Sequence, residues 1–155
     1  MQQNLEKYVA AGGRLYVTDW AYDVIEQVPE FSPYICFEPQ SIGGAPMCTA
    51  GPEKAMGADS RSFYGGAYHV LDSEMARWLT QFPSVLDRNG NVDVQYSFVV
   101  VNKVSDDAMG KTKVWLEGPA SGFGTRPQTV TFDYKACGRV HFSTYNTEPD
   151  GNVDE

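Results

Sequence analysis

An α/β domain with an antiparallel, strand-rich C-terminal part is the fold class this sequence predicts. Three observations carry that expectation: a helix–strand–helix unit at the N-terminus, an aperiodic Gly/Pro-rich middle, and a run of alternating segments in the last third. At 155 residues, 42% of them hydrophobic and 13% aromatic, the chain has the length of one domain and the means to bury a core.

"NLEKYVAAGGRLYVTDWAYDVIEQVPEF" is the most legible stretch. Leu5, Tyr8 and Val9 fall at i, i+3 and i+4, which predicts a helix over 2–11, and Gly12-Gly13 supply the backbone freedom that ends it. "RLYVT", 14–18, is a compact strand, and Asp19 is placed to cap a second helix over 20–27 that Pro29 stops. Such an αβα unit implies a central sheet carrying 14–18.

Residues 32–66, dense in Gly, Pro, Ser and Ala, predict a long loop. Tyr34, Ile35 and Phe37 at one end, and Phe63, Tyr64 and Tyr68 at the other, are expected to pack on the domain. The middle, 40–58, would then arch over a sheet edge or reach a partner. Order resumes with a helix over 72–80, capped by Asp72, whose face is Met75, Trp78, Leu79 and Phe82. "DRNGNVDV" reads as a turn. "VQYSFVVVNKV", "KTKVWLEG", "QTVTFDY" and "GRVHFSTY" read as strands, the last two joined as a hairpin through Lys135–Gly138.

Net charge is −8, and the twelve basic residues are scattered, so a nucleic-acid partner is rejected. No apolar run has the length of a membrane span, and the N-terminus is not a signal peptide. The chain starts directly on a helix pattern, as an excised domain does. The expected location is therefore extracytoplasmic if a longer precursor carries a signal, and otherwise cytoplasmic. Cys36 and Cys48 flank part of the loop; a disulfide between them and two separate thiols are both open readings, and Cys137 is left over.

Two constellations offer sites. Asp19, Trp20, Tyr22 and Asp23 gather at the strand-to-helix junction, where ligands bind in α/β folds; helix capping and first-turn acidity explain the two carboxylates without a ligand. Asp87, Asn89, Asn91 and Asp93 alternate like the start of a calcium loop. There Gly90 stands in the fourth place and Phe98 where a closing Glu belongs, so a plain Asn-Gly turn is favoured and calcium stays a weak structural alternative, with no other cofactor expected. His69 and His141 lack metal-ligand spacing.

"LEKYVAAGGRLYVTDWAYDVIE" together with the closing "V.F.Y..CGRV.FSTYNTEP" resembles class I glutamine amidotransferase-like domains, including trehalose-utilisation-like members. The resemblance covers the two ends of the chain and implies a flavodoxin-like sheet with flanking helices. In enzymes of that group it would imply a Cys nucleophile on a tight elbow, with a His and an acidic residue at the end of the last strand. Here Asn146 takes the position suggested for the His, with Glu148 after it, and Asn cannot act as a general base. His141 lies five residues earlier and faces away from Val140 and Phe142, and no cysteine stands in an elbow. The expected function is a non-catalytic binding or assembly module, bacterial by the look of the family. Asp19, Trp20, Tyr22, Asp23, Asn146 and Glu148 are its candidate ligand contacts. It would take a protein partner, a second copy or a small polar ligand; the rival is a Cys-dependent amidase or other small-molecule hydrolase.

Overall fold

The computed structural model describes residues 2–39, 48, 55, 64–105, 112–120 and 122–145, with the backbone alone for Tyr64 and Gln95. In chain order the elements are α1 (Gln2–Ala10), β1 (Arg14–Thr18), a 3-10 turn (Asp19–Tyr22), α2 (Asp23–Glu26), β2 (Ile35–Phe37), β3 (Tyr64–Val70) and α3 (Ser73–Leu79). Then come β4 (Asn91–Ser97), β5 (Val101–Val104), β6 (Thr112–Ala120), β7 (Gly124–Tyr134) and β8 (Gly138–Ser143).

Among the described residues strand accounts for 48% and helix for 21%, which overturns the expectation of a flavodoxin-like α/β sheet with flanking helices. A curled six-stranded sheet runs β1-β8-β7-β6-β3-β4, and β2-β5 form a separate two-stranded sheet. Only β1 and β8 pair in parallel among the described strands; every other pair is antiparallel. The error has a physical source. The local αβα pattern is present, but β1 finds its parallel neighbour at the far end of the chain, in a strand delivered by a hairpin. Periodicity marks a strand without marking its partner.

Local signals fared better. Gly12 has φ +99°, its amide donates to Val9 O (2.9 Å) and that of Gly13 to Tyr8 O (3.0 Å), a Schellman end to α1. Asp72 caps α3, its carboxylate accepting the Met75 amide at 2.7 Å. The β7–β8 hairpin turns at Lys135, φ +53°. The long strand expected over 94–104 is instead two strands in different sheets, β4 and β5. Between them Val99 and Val100 are buried as the chain crosses from one sheet to the other. The expected loop over 32–66 contains β2 and the start of β3; most of its middle lies outside the described residues.

One face of the large sheet carries the main core. Val17, Val130, Phe132, Val140 and Phe142 meet Val9 of α1, Ile25 of α2, and Ile35, Phe37 and Val101 of the small sheet. Tyr34 stacks on Phe132 with centroids 4.3 Å apart, so the N-terminal end of the expected loop does pack on the domain. On the opposite face α3 covers only the β3/β6 end, through Val70, Leu79 and Leu116. Cys36 in β2 is disulfide-bonded to Cys48.

Candidate functional site

The part of that second face that the other described elements leave uncovered, over β1, β8, β7 and β6, holds a groove of about 420 Å³ lined by Arg14, Leu15, Tyr16, Trp115, Thr131, Arg139 and His141. Strand alternation explains the lining: Leu15 and Val17 turn toward the core, so Arg14 and Tyr16 turn away from it, as do Arg139 and His141 beside Val140 and Phe142. Register then aligns them. Tyr16 pairs with His141 and His141 with Thr131; Arg14 pairs with Arg139 and Arg139 with Asp133.

Trp115 faces the groove by the same alternation, since its neighbour Val114 packs on the core. Val114 pairs with Val130 and Leu116 with Thr129, so a bulge at Trp115 turns Leu116 to this second face as well. Its indole N–H donates to Thr131 Oγ1 at 2.8 Å, and Lys113 Nζ lies 3.7 Å from its ring centroid. Lys113 is in turn held by Asp72 at 2.5 Å, which ties the α3 cap to β6. Lys113 and the Met75 amide together hold the Asp72 carboxyl below its usual range.

The Tyr16 ring meets the His141 ring edge to face, 4.7 Å between centroids. Burial pushes the His141 imidazole below its usual range, so it is neutral at pH 7. The Ser143 hydroxyl donates to Tyr145 O (3.1 Å), so its contact with Tyr16 (3.3 Å) uses the Tyr16 proton. At the other end Arg139 Nε donates to Asp133 Oδ1 at 2.6 Å. Arg14 has no ion pair among the described residues.

A second polar cluster is structural. Tyr68, Ser97, Thr144 and Gln128 are buried, with Tyr68–Ser97 at 2.6 Å, Ser97–Thr144 at 3.1 Å and Thr144–Gln128 Oε1 at 2.5 Å. Gln128 Nε2 donates onward to the carbonyls of Gly118 and Arg126. Passing each hydroxyl proton one step along this chain satisfies every member, so it leaves nothing free for a ligand.

The four described residues of the contact set expected from sequence stand in different surroundings. Tyr22 is in the core against Phe37, its hydroxyl accepting the Ala55 amide at 3.2 Å, and burial pushes its pKa up to about 12. Asp19 sits at φ +39° with its carboxylate accepting the Trp20 amide. Trp20 is exposed and lies edge-on to Phe98, and Asp23 is exposed on α2. Asn146 and Glu148 lie outside the described residues.

In the turn expected as a calcium alternative, Asp87 Oδ1 accepts the amides of Asn89 (2.7 Å) and Asn91 (2.8 Å), and Oδ2 accepts the Asn91 side chain (2.9 Å). Those donors hold the Asp87 carboxyl below its usual range. Asn91 Oδ1 meets His69 Nδ1 at 3.2 Å, and Asp93 lies on β4 opposite Ala67. Among the described residues no three His, Cys, Asp or Glu side chains gather as a metal-ligating group.

The groove residues were not among the sequence-based candidates. Their polar alternation in "RLYVT", "QTVTFDY" and "GRVHFSTY" was legible; that three such strands lie side by side was not. No family model, curated protein or solved structure matches this chain.

Proposed function

We propose that this protein is a non-catalytic binding module that holds a small organic ligand in the groove on the open face of its sheet. The observation that carries the reading is the groove itself. It has about 420 Å³ of space, aromatic and aliphatic walls, and a few convergent polar groups on rigid strands, which are the ordinary attributes of a small-molecule site. The cysteine chemistry supports a binder over a thiol hydrolase. Cys36 and Cys48 are consumed in a disulfide, and Cys137 is exposed in the hairpin turn. The hydrogen-bond partner of His69 is Asn91, and the ring partner of His141 is Tyr16; neither is a thiol.

The disulfide fits an oxidising, extracytoplasmic compartment. No helix among the described residues is long and apolar enough to cross a membrane. Kinship with amidotransferase-like chains remains part of the proposal. The two segments that carry the resemblance end as β1 and β8, hydrogen-bonded parallel neighbours.

The test is a fragment screen read by amide and indole resonances of the labelled protein. Hits that shift the Trp115 indole N–H together with His141 and Thr131, without being turned over, are expected. Hits confined to the α3 face or to the 19–23 turn, or conversion of a bound fragment, would overturn the reading.

A further inference from the structure

We infer that the groove recognises a small monocarboxylate with a planar apolar body, its carboxylate held between Arg14 and Arg139. The inference rests on the groove being a ligand site and adds the class of ligand. Arg14 and Arg139 are direct neighbours on parallel strands, on the same face, in a chain whose net charge is −8. Like charges placed opposite one another destabilise a sheet, and among the described residues the carboxylate that relieves this pair is that of Asp133, on Arg139.

Among the described residues the groove end has two guanidinium cations, Arg14 and Arg139, against the carboxylate of Asp133, with His141 neutral: a balance of +1. Lys113 does not change it, because Asp72 neutralises it. One monoanion completes the set. A guanidinium offers its N–H donors as a planar fork that matches a carboxylate, and Arg139 spends Nε on Asp133, which fixes its plane and leaves the terminal nitrogens to donate. Beyond the arginines the walls are Leu15, the Tyr16 and His141 rings and the Trp115 indole, an apolar surface suited to a flat body. The Trp115 N–H and the Ser143 hydroxyl are already used by Thr131 and Tyr145, so the far wall asks for little hydrogen bonding.

The experiment titrates the labelled protein with phenylacetate and with phenylacetamide, its neutral isostere, at low salt. The Trp115 indole N–H and the affinity are read for wild type and for Arg14→Gln. Phenylacetate is expected to bind about tenfold or more tighter than the amide, the gain of one charge-assisted contact over a neutral one. Arg14→Gln should remove most of that preference, the acid losing more affinity than the amide. Equal affinity of acid and amide, or a preference that survives Arg14→Gln undiminished, overturns the carboxylate assignment and leaves the groove standing. Failure of both probes to reach Trp115 overturns the groove as well. A tripeptide ending in a free phenylalanine carboxylate separates the two sources of such a group. Binding more than about tenfold tighter than phenylacetate would assign the site to a chain terminus and overturn the small-molecule inference.

Discussion

Gly138→Ala tests how α1 is docked on the sheet. A methyl group at Gly138, the first residue of β8, would sit 1.9 Å from the Val9 carbonyl oxygen and 2.8 Å from its carbon. The obstacle is backbone, so no rotamer relieves it. Restoring an ordinary carbon–oxygen contact of about 3.3 Å requires the carbonyl to retreat by roughly 1.4 Å. That carbonyl accepts the Gly12 amide in the turn that ends α1, and Val9 itself is wholly buried, so the retreat breaks a cap and loosens a core contact together. Overpacking costs about 1–3 kcal/mol and a lost hydrogen bond about 1 kcal/mol, so the expected loss is about 2–4 kcal/mol. With a urea m-value near 2 kcal/mol/M, the unfolding midpoint should fall by about 1–2 M. Gly122→Ala is the control. Nothing lies within 4 Å of its added carbon, and its φ of +81° leaves only backbone strain. That strain should cost about 1 kcal/mol. If Gly138→Ala unfolds at the same urea concentration as Gly122→Ala, the docking argument is refuted.

The Cys36–Cys48 bond spans a sequence separation of 12. Closing a loop of that size constrains the unfolded chain by about 3 kcal/mol, so reductant should lower the urea midpoint by roughly 1.5 M, and Cys36→Ser/Cys48→Ser should be insensitive to it. Identical midpoints with and without reductant would count against a bond formed in solution. His141, packed beside Tyr16 and Thr131, is held below its usual range by burial, so the unfolded chain takes up its proton first. Stability is therefore whole above about pH 6.5 and is lost as pH falls from there through the folded value. His141→Gln should lose less stability than wild type between about pH 7.5 and about pH 5.5, and an equal loss in both would refute the assignment.

The sequence alone determined those features whose cause lies within a few residues. Gly12-Gly13 end α1 because the reversal needs positive φ where they stand, and Asp72 caps α3 because its carboxylate reaches the Met75 amide one turn on. "RLYVT" is a strand, and Lys135–Gly138 closes a hairpin, for equally local reasons. Cys36 and Cys48 were one of two open readings, and the fold chose the bond. The tertiary structure decided the rest. The segment 94–104 is apolar enough to be one strand, yet its buried valines carry the chain between two sheets. Gly118 reads as a strand weakness until the Tyr68 ring is found where its Cβ would be, 2.0 Å away. Arg14 and Arg139 are ordinary surface charges in the chain, and become a pair only because β1 lies parallel to β8. Alternation tells which face a side chain takes, but which strands share that face is set by long-range pairing, whose free energy comes from the core on the opposite side.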